Sequence, residues 1–409
     1  MTDIVKIFCI DLKIGMHVAN LDRPWLETSF ALQGFIIRTD QQIAKLRSSC
    51  DYVYIDCGLS KIDEPAIRAM SPQGSRKTKA ELFPSKTLIP YKDSVDWDAE
   101  FPEAQIAVAA LSESIESIFE SAARGGAIEI SKLKKAVDPM IRSISRNPDG
   151  CIWLARLKQE DHYTYQHSLG ASIWAVSLGR QLGLPKSDLR SLALGALLLD
   201  VGKLQLDKGL LKLERQLTPE EFEVVKGHVE LGVEAIKENG ILNKDVVDMV
   251  ASHHERHDGS GYPRGIKGDS IPVFARIAAI VDCYDAITSN RSYARGIPPA
   301  QAIKKIYEWR DIDFQAELVE EFIQAIGIYP AGSLVELSSG EIAVVAAEYP
   351  TRRLRPRVMV LLDADHKPLE NIKMVDLFLV KLTDNGQPLE IVNSLEPNAY
   401  GIDMSAIQL

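Results

Sequence analysis

The chain has 409 residues, of which 46% are hydrophobic and 25% charged, and a formal net charge of −10. This length allows two or three domains with a sizeable core, and the composition is ordinary for a soluble globular protein. The acidic balance argues against nucleic acid as the main partner, because binding to a phosphate backbone favours net positive charge.

The sequence also bears on the compartment. The longest apolar runs, such as Ala193 to Leu199, are far too short to span a bilayer, and no basic segment followed by an apolar run begins the chain. The five cysteines form no CxxC pair. We therefore expect reduced thiols and a cytoplasmic protein with no membrane partner.

The N-terminal third predicts a small module followed by helices. In residues 1–60, VKIFCIDL, SFALQGFII and DYVYIDC have the pattern of strands, and DQQIAKLRSSC that of a helix, so we expect an α+β module. Residues 61–97 show weak periodicity and predict a linker. Residues 98–148 predict a helical connector of two helices, separated at Gly125-Gly126.

The remaining chain predicts two further domains. From 149 to 328 the apolar spacing is helical nearly throughout, which predicts an all-α bundle. Within it, Thr218 before Pro219 predicts a capped helix start, and Ser187 a second one. From 329 to 409 the period changes to two, and SLVELSSGEIAVVAAEY predicts a hairpin turning at 338–340 and RPRVMVLLD a further strand. The fold class is therefore multidomain, with a small C-terminal β module.

Histidines are concentrated in the predicted bundle. Six of the eight histidines lie between residues 162 and 257, and the densest stretch is HHERHDGSGYPRG, residues 253–265. Neighbouring helix positions lie about 100° apart, so His253 and His254 at a helix end can both face one cleft. Neutral imidazole is the commonest metal ligand, which favours a metal-centred hydrolytic site over a structural clip.

Carboxylates interrupt two apolar runs of the same region. Asp200 ends LALGALLLD, and Asp282 interrupts RIAAIVDCYDAI. An acid in such a place is rarely left buried without a partner or a metal. Two ordinary alternatives remain open: Lys203, one turn after Asp200, could form an ion pair with it, and Asp285 could be a helix-face partner.

Two more histidines, His167 and His228, lie on separate predicted helices. Each alone would be an ordinary histidine, but helical bundles build metal sites from side chains of facing helices in this way. Mixed histidine and carboxylate ligands favour iron, manganese or zinc over magnesium or calcium. We expect one or two divalent ions, iron or manganese.

These motifs resemble the HD-GYP family, a branch of the HD phosphohydrolases. The resemblance covers residues 150 to 330 and rests on YTYQHS, DVGK, GHVELG, HHERHDGSGYPRG and RIAAIVDCYDAITSNRSY. The first 60 residues are similar to a domain of unknown function that often precedes HD-GYP domains. The resemblance implies a helical bundle that holds two or three metals and hydrolyses cyclic di-GMP, to linear pGpG or to GMP, in bacterial second-messenger signalling.

Motif position in the family implies roles for individual residues. The implied metal ligands are His167, Asp200, His228, His253, His254 and Asp282. Asp200 would bridge two metals and, together with Lys203, would act in catalysis. Lys203 and Arg291 would bind substrate phosphate, with Arg295 as a further cation beside them. Arg264 and Lys267, also basic, are interpreted as solvated surface residues.

Two positions depart from the family pattern. Leu199 stands where the family has the histidine of the HD pair. One metal would then keep His167, Asp200 and Asp282, and the other Asp200, His228, His253 and His254. Tyr163 stands where three-metal members have glutamate, so we expect no third metal.

The departure at Leu199 leaves two functions open. The first is a working cyclic di-GMP phosphodiesterase. The second is a degenerate domain that binds cyclic di-GMP or other signalling proteins without turnover. The oligomeric state stays open in both.

Overall fold

The computed structural model describes residues 4–22, 25, 28, 30, 34–50, 52–63, 66–67, 70, 77–157, 163–211, 213, 215–289, 295–349, 354–383 and 385–404. A small N-terminal sheet module, a central helical region and a C-terminal sheet follow one another along the chain. The predicted fold class is therefore confirmed. None of the helices among these residues is long and apolar enough to cross a membrane.

The N-terminal module is an antiparallel sheet of four strands in the order β1-β4-β2-β3. Its elements are β1 (Ile4–Phe8), β2 (His17–Leu21), β3 (Phe35–Ile36), α1 (Asp40–Ser49) and β4 (Tyr52–Asp56). Helix α1 begins at a capping box in which the Thr39 hydroxyl accepts from the backbone N–H of Gln42.

The predictions for this module are confirmed for α1 and β4 and need correction elsewhere. The first predicted strand ends at Phe8, and Cys9–Asp11 forms a 3-10 turn. Within SFALQGFII the strand is Phe35–Ile36, and residues 29 and 31–33 lie outside the described part. Strand β2 was missed because His17 and Asn20 interrupt its apolar alternation, and its pairing with β4 is long-range.

The described residues of the central region, between 97 and 326, form a series of helices. Its helices are α2 (Lys79–Leu82) in the preceding segment, then α3 (Trp97–Ala123), α4 (Ile130–Arg146), α5 (Asp149–Ala155), α6 (Tyr163–Leu182), α7 (Lys186–Leu198), α8 (Lys208–Leu211), α9 (Pro219–Lys226), α10 (His228–Glu238), α11 (Lys244–Ser252), α12 (Val273–Thr288), α13 (Pro299–Glu308) and α14 (Ala316–Ile326). The segment predicted as a linker contacts this bundle, since the backbone N–H of Ile89 donates to Gly183 at 2.6 Å.

Two predicted helix starts have different outcomes. The start of α9 is confirmed, because the Thr218 hydroxyl accepts from the N–H of Glu221 and Pro219 is the first helical residue. The start at Ser187 is wrong. Helix α7 begins at Lys186 after Pro185, whose ring fixes φ and lacks a donor, so the helix boundary falls at the proline.

The C-terminal sheet has five strands in the order β8-β7-β6-β5-β9. Its strands are β5 (Leu334–Leu337), β6 (Ile342–Ala347), β7 (Arg357–Leu362), β8 (Pro368–Asp376) and β9 (Ile391–Ser394). The predicted hairpin is confirmed as β5 and β6, and the predicted further strand as β7. Buried side chains of both terminal sheets, such as Ile7 and Val345, belong to one hydrophobic cluster. The two ends of the chain therefore share a core.

Candidate metal centre

The ends of helices bring the candidate ligands together. Asp200 follows the last turn of α7 and precedes a 3-10 turn, Val201–Gln205. His228 opens α10 and His253 closes α11. Gly202 permits the contact between the 3-10 turn and α10, because a Cβ there would lie 2.0 Å from the carbonyl oxygen of His228.

Four of the six predicted ligands form one cluster. Asp200, His228, His253 and His254 offer ligand atoms that all lie within 4.8 Å of one another. The Nε2 of His228 is 3.4 Å from Oδ1 of Asp200 and 3.4 Å from Nε2 of His253. Ligands that share a metal at about 2.1 Å lie roughly 3–4 Å apart, so this spacing fits a single divalent ion.

Backbone contacts select the ring nitrogen that faces the cluster. The Nδ1 of His228 lies 2.7 Å from the carbonyl of Val225, and that of His253 lies 3.0 Å from the carbonyl of Val250. A carbonyl only accepts, so Nδ1 carries the proton in both rings. The Nε2 lone pairs are then directed at Asp200, as metal ligation requires.

The histidines of the cluster are held in the neutral form. Burial is the largest cause, and it lowers the pKa of His253 to about 4. Burial also lowers the pKa of His228 and, together with the neighbouring His253, that of His254. Neutral imidazoles bind a divalent ion without first releasing a proton.

His167 and Asp282 lie on the other side of Asp200. The Nε2 of His167 is 2.9 Å from Oδ1 of Asp282 and 3.8 Å from Oδ2 of Asp200. Oδ1 of Asp200 faces His228 and His253 instead. The two oxygens of this carboxylate thus face two different sets of candidate ligands, so Asp200 would be able to serve both sets.

The ring of His167 carries an extra proton, which the histidines of the four-residue cluster lack. Burial would lower the pKa of His167, but hydrogen bonds with Asp282 and Asp285 outweigh it and raise the pKa to about 9. Binding of a metal by His167 would therefore release a proton.

Lys203 forms the ion pair that the sequence left open as an alternative. Its Nζ lies 2.7 Å from Oδ2 of Asp200. Burial would raise the pKa of Asp200, but the ammonium of Lys203, the largest opposing cause, and the protonated His167 hold it well below its usual value. The lysine is part of the site as a counter-charge to the buried acid, whatever else it contacts.

The loop after His254 folds back onto the end of α11. The N–H of Tyr262 donates to the carbonyl of His254 at 3.1 Å, and the Tyr262 ring stacks on that of His254 with centroids 4.6 Å apart. Glu255 is buried and accepts from the backbone N–H groups of Arg264 and Ile266. The HHE and GYP motifs are therefore two halves of one local structure.

The other predicted residues have varied outcomes. Arg291 and the side chain of Tyr163 lie outside the described part, and Arg295 is exposed. Leu199 is buried at 2% exposure in the core of the bundle. Glu255 was not predicted as a site residue, and Asp285 was predicted only as a possible helix-face partner although its side chain contacts His167. The signal for Asp285 was its position, one turn after Asp282 in an apolar helix.

A helical bundle whose helix ends converge on buried histidines and a shared aspartate defines the class of HD-domain proteins. The family model for the HD domain matches residues 143–316. A domain of unknown function, DUF3391, matches residues 4–133, and a KOW domain associated with HD domains matches residues 334–385.

The chain is also similar to individual proteins. A cyclic di-GMP phosphodiesterase of Pseudomonas aeruginosa is 33% identical over 381 residues, which are 93% of this chain and 90% of that protein. A cyclic di-GMP phosphodiesterase of Thermotoga maritima is 31% identical over 40% of this chain and 45% of that protein. A solved HDGYP protein, Bd1817 of Bdellovibrio bacteriovorus, superposes with a TM-score of 0.46 at 18% identity and covers 78% of this chain and 98% of that chain. The similarity to the Pseudomonas aeruginosa protein, which extends over 90% of that protein, shows that this chain belongs to the HD-GYP family.

Proposed function

We propose that the protein is a metal-dependent phosphodiesterase that hydrolyses cyclic di-GMP to linear pGpG or GMP. The observation that carries the proposal is the cluster of Asp200, His228, His253 and His254, the first three of them buried, in a chain similar to a cyclic di-GMP phosphodiesterase along 93% of its length. All five cysteines lie in the described part of the chain and none forms a disulfide, which fits a reducing compartment, and we propose the cytoplasm.

Different residues of the chain would hold the metals and bind the substrate. The cluster would hold one divalent ion, and His167, Asp200 and Asp282 a second; we propose iron or manganese. When bound, such ions supply Lewis acidity and hydroxide near neutral pH. Lys203, half-buried beside Asp200, would offer its ammonium to a substrate phosphate, and Arg291 and Arg295 would add positive charge at the substrate side.

A second function is favoured by one observation. Leu199 is buried where the family has a histidine ligand, so the set around His167 has three protein ligands. Three ligands plus water is a known open arrangement for a catalytic metal. A set that bound its metal too weakly would instead leave a domain that binds cyclic di-GMP without cleaving it.

Metal analysis and turnover on the same preparation test the proposal. We expect the purified protein to contain iron or manganese and to convert cyclic di-GMP to a linear product. His253→Ala should lose bound metal and turnover, whereas His257→Ala, whose ring lies outside the cluster, should keep both. Binding of cyclic di-GMP without cleavage by the metal-loaded protein would favour the second function. Full metal content in His253→Ala would contradict the assigned site.

A further inference from the structure

Asp285 makes contacts that the proposed ligand sets do not use. It lies on α12, one turn after Asp282, and its side chain is fully buried. Oδ2 lies 2.7 Å from Nδ1 of His167, and Oδ1 accepts from the indole Nε1–H of Trp174 at 2.9 Å. Both oxygens therefore have a donor, one of them on a proposed ligand.

The contact with Asp285 decides how the His167 ring is presented. A carboxylate accepts the proton of Nδ1, so Nε2 is left as the nitrogen that faces Asp282 and Asp200. The carboxylate also makes the ring a stronger electron donor through its other nitrogen. Asp282 and Asp285 thus contact opposite nitrogens of one imidazole from successive turns of one helix.

Asp285 is itself held in place from two sides. Trp174 lies two turns after His167 on α6, so the same helix supplies the histidine and the donor that fixes its carboxylate partner. The guanidinium of Arg156 interacts electrostatically with Asp285 and compensates its charge. A buried carboxylate with these partners is stable without touching a metal or the substrate.

The geometry points to Asp285 as a positioning residue that orients His167 for the metal shared with Asp200 and Asp282. This inference rests on the proposed metal-dependent function. This positioning role matters more here than it would in a site with the family's full set of ligands, because Leu199 cannot bind a metal. With three protein ligands, the loss of alignment of one weakens a larger share of the coordination.

The test compares Asp285→Asn with Asp138→Asn. Asp138 makes an ion pair with Arg190 on α7 and serves as a matched control for the same chemical change away from the site. Metal content, metal affinity, melting temperature and cyclic di-GMP turnover are measured for each variant. We expect Asp285→Asn to bind the metal at the His167 set about 10- to 100-fold more weakly. Its kcat should fall with little change in KM, and Asp138→Asn should match the wild type.

A milder variant covers the case in which Asp285→Asn fails to fold. Trp174→Phe keeps a large aromatic ring and removes only the indole donor to Asp285. It should weaken metal binding at the same set by a smaller factor. Unchanged metal affinity in the folded variants would overturn the inference, even if the melting temperature fell.

The outcomes separate this inference from the proposed function. A metal-loaded wild type that does not cleave cyclic di-GMP would overturn the function and leave the metal-affinity comparison to decide the role of Asp285. A wild type that cleaves with metal only at His228, His253 and His254 would overturn the inference and leave the function standing.

Discussion

The substitution Leu199→His tests whether this position, where the family has a histidine, can again bind a metal. Leu199 is 2% exposed and packs in the main core of the bundle. Loss of a buried leucine and burial of an imidazole without a partner together destabilise the metal-free protein by roughly 3–5 kcal/mol. For a bundle of this size, each kcal/mol lowers the melting temperature by about 2–4 °C.

A bound metal should reverse part of that loss. If the new ring reaches the ion held by Asp200, each tenfold gain in metal affinity recovers about 1.4 kcal/mol at saturating metal. The assay is thermal denaturation of wild type and variant with and without manganese, together with metal content and cyclic di-GMP turnover. The variant's deficit in melting temperature should shrink when manganese is added, and its turnover should exceed that of the wild type.

Leu198→His is the matched control. Leu198 is fully buried one position earlier, so it faces about 100° away around the helix and should be destabilised by a similar amount. Its deficit should stay the same with and without manganese. If both histidine variants lost the same amount of melting temperature with and without manganese, the reasoning would be refuted. Such a result would mean that the pocket has closed around the leucine.

Two further variants test the site from other sides. Lys203→Ala leaves the buried carboxylate of Asp200 without its cation, so the metal-free protein should lose about 1–3 kcal/mol in thermal denaturation. This loss of stability should largely vanish when bound manganese neutralises the acid, whereas the affinity for cyclic di-GMP should still fall. An equal loss of stability with and without manganese, together with unchanged affinity, would contradict a role for Lys203 in binding phosphate. Gly202→Ala should abolish metal binding and lower stability sharply in the same assays, because its Cβ would overlap the carbonyl of His228. The control Gly209→Ala, on a short exposed helix, should behave as the wild type. Normal metal content in Gly202→Ala would contradict the close approach of the 3-10 turn to α10.

Local sequence determined the elements whose signals lie within a few residues. The helical period predicted the bundle, the change to a period of two predicted the C-terminal hairpin, and Thr218 with Pro219 predicted the start of α9. The signals for the candidate ligands were also local, because histidines at helix ends and acids inside apolar runs are visible in a short stretch of sequence. Resemblance of the motifs to one family then implied their common role.

Tertiary structure decided what the local signals could not. Asp285 and His167 are 118 residues apart, so no spacing rule indicates that they share a hydrogen bond. The two oxygens of Asp200 face different ligand sets only because the ends of α7, α10 and α11 meet beside α6 and α12. Strand β2 and the common core of the two terminal sheets depend in the same way on pairing and packing between distant segments. Such contacts are set by the assembled fold, since a side chain's partner is fixed by the arrangement of elements and not by its neighbours in sequence.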